Sequence, residues 1–122
     1  MELALIRRIA EIINERRTWI NAELSPKQTP YLIPLDGTIS VCYSCSLVLK
    51  VTEERNGYRK KQKWIIPAIV LEKSARKIKG QDAAFWERLI TGQMDYQDVE
   101  RLILDATYGI VKLTLDEYGI KC

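Results

Sequence analysis

The stretch "ISVCYSCSLVLKV", residues 39–51, decides how this chain is read. Ile39, Val41, Tyr43, Cys45, Leu47, Leu49 and Val51 take every odd position, and among the residues between them only Val48 is a large apolar one. Successive side chains on a strand point to opposite faces, so the pattern predicts a long strand with one face buried. The chain then runs through "TEERNGYRKK", where Asn56-Gly57 is the preferred dipeptide of a two-residue type I′ hairpin turn. Such a turn sets Leu49 opposite Trp64, Leu47 opposite Ile66, Cys45 opposite Ala68 and Tyr43 opposite Val70. It also sets Glu53 opposite Lys60 and Glu54 opposite Arg59, pairs of opposite charge. A slip of one residue would send every one of these side chains to the wrong face. A hairpin over residues 38–54 and 58–72 is therefore predicted. It carries two blemishes: Lys50 faces Lys63, and Pro67 lacks the N–H that a ladder needs, which makes the second strand an edge or a bulged one there.

The same stretch contains a C-x-x-C spacing, Cys42 and Cys45. On a strand, residues three apart point to opposite faces and lie about 10 Å apart, whereas a disulfide needs Cα atoms within about 7 Å. A reactive thiolate of the redox type draws on a helix N-terminus, and none is expected here. A zinc site would need two further ligands, and only Cys122 and carboxylates remain. Both thiols are read as structural, with Cys45 packed inside and Cys42 outside or under another layer. No metal and no cofactor is expected.

Around the hairpin the punctuation is clear. Residues 2–22 read as one amphipathic helix, with Leu3, Leu5, Ile6, Ile9, Ile12, Ile13, Trp19 and Ile20 at helical spacing. The stripe Leu3, Ile6, Ala10, Ile13 would suit a dimer seam, but two good turns are short for a coiled coil, and packing on the sheet is the preferred reading. "LSPKQTPYLIPLDG", residues 24–37, has prolines spaced by four and ends in Asp36-Gly37, giving a stiff extended connection with a short edge strand over residues 31–33 and a turn at its close. "KSARKIKG", residues 73–80, reads as a helical turn or a basic loop ended by Gly80. Asp82 and Asp95 cap two helices, over residues 82–91 and 96–108, whose buried stripes are Phe85, Trp86, Leu89, Ile90 and Val99, Leu102, Ile103, Ala106. Gly109 stops the second, and the segment from residue 110 to 122 fits a strand or a helix. The fold class is α+β: an antiparallel sheet built on the long hairpin, covered on one face by the N-terminal helix and the two C-terminal ones, within a single domain over residues 1–122.

Composition bounds the function. With 122 residues, 47% apolar and 29% charged, the chain is long enough for a core without disulfide or metal staples. It contains no histidine, which excludes Ser-His-Asp and Cys-His catalysis, histidine ligation of metals and histidine pH switching in this chain. No Gly-rich phosphate loop is present, and Asp95 with Asp98 is better explained by helix capping than by acid-base work. Asp116 and Glu117 sit in a turn-like tail. No enzyme, no small-molecule substrate and no catalytic residue is expected. Arg7 and Arg8 interrupt the first apolar run, the longest uncharged run is too short to cross a bilayer, and the cysteine count is odd, so a cytoplasmic protein without a membrane partner is the expectation.

Charge is uneven. Residues 50–80 hold ten Lys/Arg against three Asp/Glu, while residues 81–122 hold four against eight. Lys50, Arg59, Lys60, Lys61 and Lys63 are the candidate partner-binding residues, a cationic hairpin that would capture an acidic protein or nucleic acid, with Lys73, Arg76, Lys77 and Lys79 following in sequence. The plainer reading is that lysines solvate the tip and guard strand edges. The alternative function is a homo-oligomeric structural or assembly protein, the basic middle of one copy meeting the acidic C-terminal part of the next.

Overall fold

The computed structural model describes residues 1–55 and 57–108, with the side chains at positions 33, 35 and 53–55 outside the description. The order is α1 (Leu3–Arg16), β1 (Ile20–Leu35), β2 (Thr38–Arg55), β3 (Tyr58–Pro67), α2 (Ala68–Lys79), α3 (Ala83–Ile90) and α4 (Tyr96–Ala106). The three strands form an antiparallel sheet in the order β1-β2-β3, with α1 and the later helices packed on it, and the class is α+β.

The hairpin register is the one its turn dictates. Leu49 pairs with Trp64, Leu47 with Ile66, Lys50 with Lys63, and the rungs Glu53 to Lys60 and Glu54 to Arg59 are present in the backbone. Gly57 has φ +82°, the left-handed conformation a type I′ turn requires; Asn56 lies outside the described residues. The ladder ends earlier than the sequence suggests. Ser46 to Pro67 is its last rung, and Ala68 begins α2, so Cys45 to Ala68 and Tyr43 to Val70 do not form. Pro67 explains this, because it cannot donate to the ladder and its φ of −60° suits the residue before a helix. The segment 73–80 is the rest of that helix, with Gly80 as its C-cap.

The N-terminal helix is also shorter than its apolar spacing suggests. It stops at Arg16, Arg17 is extended, and Ile20 opens a strand rather than a last helical turn. Trp19 and Ile20 fit either period, and pairing with β2 decides between them: Ile20 sits opposite Val51 and Ala22 opposite Leu49. The proline-spaced segment, expected as a connection with a brief edge strand, forms most of the 16-residue edge strand β1, interrupted only at residues 26–28. Proline is tolerated because β1 needs its N–H groups on one side only. Asp36 (φ 48°) and Gly37 (φ 79°) make the expected tight turn at its end, between the paired Leu35 and Thr38.

The core lies between one sheet face and the helices. Ile6, Ile9 and Ile13 of α1, Leu47 and Leu49 of β2, Leu71 of α2, Phe85 and Leu89 of α3, and Val99, Leu102 and Ile103 of α4 are almost fully buried. The α1 stripe is thus used for packing on the sheet. Asp82 accepts a hydrogen bond from the Phe85 N–H, and Asp95 and Asp98 form a reciprocal capping box, so both caps stand where the sequence puts them. In α3, Ile90 is exposed rather than buried, because the stripe that meets α2 is satisfied by Phe85 and Leu89. Residues 109–122, including Gly109 and the ambiguous tail, are outside the description.

One expectation fails in an informative way. The apolar row of β2 is buried only from Cys45 onward. Ile39, Val41 and Tyr43 are 73%, 55% and 69% exposed. Beyond Cys45 the sheet has two strands among the described residues, and no described helix lies over them.

Candidate functional site

The sheet face turned away from the helices carries the predicted cations. Lys50 stands opposite Lys63, and Thr52 opposite Lys61, so the three lysines share one face. Arg59 follows on the same face nearer the turn, opposite Glu54. Lys60, one residue out of phase, belongs to the other face with Gln62 and Trp64, and it leaves the group on which the cationic site was built. Lys50, Lys61, Lys63 and Thr52 border a groove of about 420 Å³, whose other walls are Thr18, Trp19, Asn21, Val51 and Gln62. The carbonyl of Trp19 accepts the Thr52 N–H at 2.9 Å, which fixes this aromatic residue at the rim.

Lys50 reaches Glu23 on the neighbouring strand at 2.9 Å. Among the described residues, Lys61 and Lys63 have no carboxylate within ion-pairing distance, and both are exposed. Like charges directly opposite one another disfavour a sheet, and here the fold tolerates such a pair at its open face. An anion lying along the groove would relieve that repulsion.

The basic residues of α2 behave differently. Arg76 pairs with Glu72 at 3.2 Å, Lys77 with Asp105 at 3.1 Å, and Lys79 lies 4.6 Å from the Trp86 ring centre. They stitch the helical layer together. Several carboxylates of the helices from residue 82 onward are likewise engaged within the molecule. Asp98 takes two hydrogen bonds of 2.8 Å from Arg88, Asp82 pairs with Arg101 at 3.0 Å, and Glu100 lies 3.8 Å from Arg17. The Arg88 guanidinium, together with the Asp95 backbone N–H, holds the Asp98 carboxyl below its usual range. Asp95 and Asp98 thus do structural work, as their spacing suggests. A second cleft, about 480 Å³, lies among Met1, Leu5, Glu72, Arg76, Trp86 and Ile90; within it Glu72 pairs with the Met1 amine at 3.1 Å and with Arg76 at 3.2 Å.

Cys45 is buried and Cys42 half buried, both as free thiols on one unbroken strand. Among the described residues no cluster of side chains is arranged to hold a metal, and no helix is long and apolar enough to cross a membrane.

The feature that sequence reasoning missed is the bare end of the sheet. Pro30 pairs with Tyr43, Leu32 with Val41 and Pro34 with Ile39, so six apolar side chains share one exposed face of a two-stranded ribbon. A signal was available: between Gln28 and Leu49 the chain holds a single charged residue, Asp36. Comparison of the chain with family models, curated proteins and solved structures gives no match.

Proposed function

We propose that this protein is a non-enzymatic cytoplasmic binding module that captures an anionic macromolecule on the open face of its sheet. Lys50, Lys61 and Lys63 supply the attraction, and Arg59 extends it toward the turn. The observation that carries this reading is the direct opposition of Lys50 and Lys63, with Lys61 two residues along on the same face of one strand pair. Such a row suits closely spaced anions, the phosphates of a nucleic acid or the carboxylates of an acidic protein surface. The groove supplies Asn21, Thr18 and Thr52 as hydrogen-bonding neighbours and Trp19 as one aromatic wall. One aromatic wall does not make a row of stacking platforms, which favours recognition of charge over recognition of bases.

The test is titration of the protein with a labelled single-stranded oligonucleotide and, separately, with polyglutamate, each over a salt series. Capture of either one, weakening steeply with salt and abolished in Lys61→Glu/Lys63→Glu at a melting temperature no lower than that of the wild type, supports the reading and names the partner class. Absence of capture by both, or unaltered capture by the double variant, discards it. The charge-driven assembly alternative is less well supported, because Asp82, Asp98, Glu100 and Asp105 are already held by cations of the same chain.

A further inference from the structure

The bare ribbon stands on different residues from the lysine groove. Its face consists of Pro30, Leu32, Pro34, Ile39, Val41 and Tyr43, three cross-strand pairs without a charge among them. Leu32 is 73% exposed, a value equal to that of Ile39. Solitary exposed apolar residues are ordinary, but six in one contiguous block are not. The ribbon is stiff as well as apolar, since paired strands reach its tip and a two-residue left-handed turn closes it. A stiff, uncharged, apolar face suits docking, and its chemistry restricts the occupant to another uncharged apolar face.

We propose that the occupant is a second copy of this chain, the two ribbons stacked apolar face to apolar face about a two-fold axis near Val41 and Leu32. Three observations carry it. The face is self-complementary: with no charge on it, rotation onto itself opposes no like charges, as an isologous contact requires. Its size suits a pair of copies, for each ribbon presents on the order of 500 Å² of apolar surface and the pair removes about 1,000 Å² in total, the lower bound of specific interfaces. The room is also right. Burial changes abruptly between Cys45, at 7% exposed, and Tyr43, at 69%, so the helical layer ends in a step beside the ribbon. Stacked sheets lie about 10 Å apart, close to the thickness of a helix, so a second ribbon occupies the place next to the helices that none of the described helices fills.

Light scattering and sedimentation over a wide range of protein concentration provide the test. The wild-type chain is expected to dimerise, and Val41→Lys and, independently, Leu32→Lys are each expected to weaken the dimer at least about a hundredfold by placing a charge at its centre. Because both positions are exposed in the monomer, the variants retain the wild-type circular dichroism and melting curve of the monomer. Ser40→Lys, on the opposite face, leaves the dimer intact. Added salt leaves the dimer unchanged or tightens it, whereas a contact made by charge would loosen. A monomeric wild-type chain overturns the proposal, whether residues 110–117 of the same chain or another protein then proves to cover the face. So does a dimer indifferent to Val41→Lys and Leu32→Lys. Neither result bears on the lysine groove, which is tested by anion capture.

Discussion

The side-chain amide of Asn14 holds both backbone groups of Ala22: its Nδ2 donates to the Ala22 carbonyl at 2.8 Å, and its Oδ1 accepts the Ala22 N–H at 2.7 Å. Ala22 is buried on the β1 side of the sheet, where no other strand among the described residues is available to satisfy it. Asn14 therefore takes the place of a fourth strand for one residue and fixes α1 against the sheet. Asn14→Ala should destabilise the fold by about 2 kcal/mol, since it removes two hydrogen bonds and strands two buried backbone groups. Asn14→Asp, which loses the donor and faces a carbonyl with a carboxylate, should cost at least as much at neutral pH. Urea denaturation of both variants checks this; an unchanged midpoint would mean that the amide contributes nothing.

Acid should attack the contact between α3 and α4. The hydrogen bonds from Arg88 depress the Asp98 pKa in the folded chain. The stabilisation from this pair is therefore complete above the unfolded carboxylate value near 3.8 and disappears as the pH falls through the lower folded value. Asp98→Asn should cost roughly 2 kcal/mol at neutral pH and flatten the acid limb of the melting-temperature profile. A variant whose profile still parallels the wild type below pH 4 would show that other carboxylates govern acid unfolding.

The two halves of β2 should respond differently to the same kind of truncation. Leu47 is fully buried between Leu24 and Ile66 on the neighbouring strands, and Leu47→Ala should cost about 3 kcal/mol through lost contacts and the cavity left behind. Tyr43→Ala, four residues away on the same face, should cost less than about 0.5 kcal/mol in the monomer. Thermal melts at low protein concentration compare the two.

Lys63→Glu separates stability from capture. It replaces a like-charged rung with an attractive one, so the fold should gain about 0.5 kcal/mol while anion capture falls. Equal loss of both properties would indicate that Lys63 packs structurally on the open face.

Local features of this chain were legible in its sequence. Asp82 and Asp95 cap their helices, Asp36-Gly37 and Gly57 turn the strands, and the register follows from one turn because a two-residue loop admits a single pairing. The same register places Lys60 on the face away from Lys61 and Lys63, so its removal from the site follows from the pairing alone. What could not be read was set at a distance. Trp19 and Ile20 satisfy a helical and a strand period equally, and only the presence of Val51 across the sheet selects the strand. Alternation along β2 says that one side is apolar, but not how far the helices reach over it. The partner of Asn14 is a backbone group on another element, and no spacing announces that.

Pro67 closes the third strand and opens α2 within one residue, with no loop between them. A joint that short cannot swing freely, so the helix is welded to the rung at Ser46, and the border between clothed and naked sheet is fixed by covalent geometry. Moving that proline two positions along the chain would lengthen the third strand by one rung on the same face and shorten the protruding finger correspondingly. The reach of this molecule toward its surroundings is thus written in the position of a single imino acid.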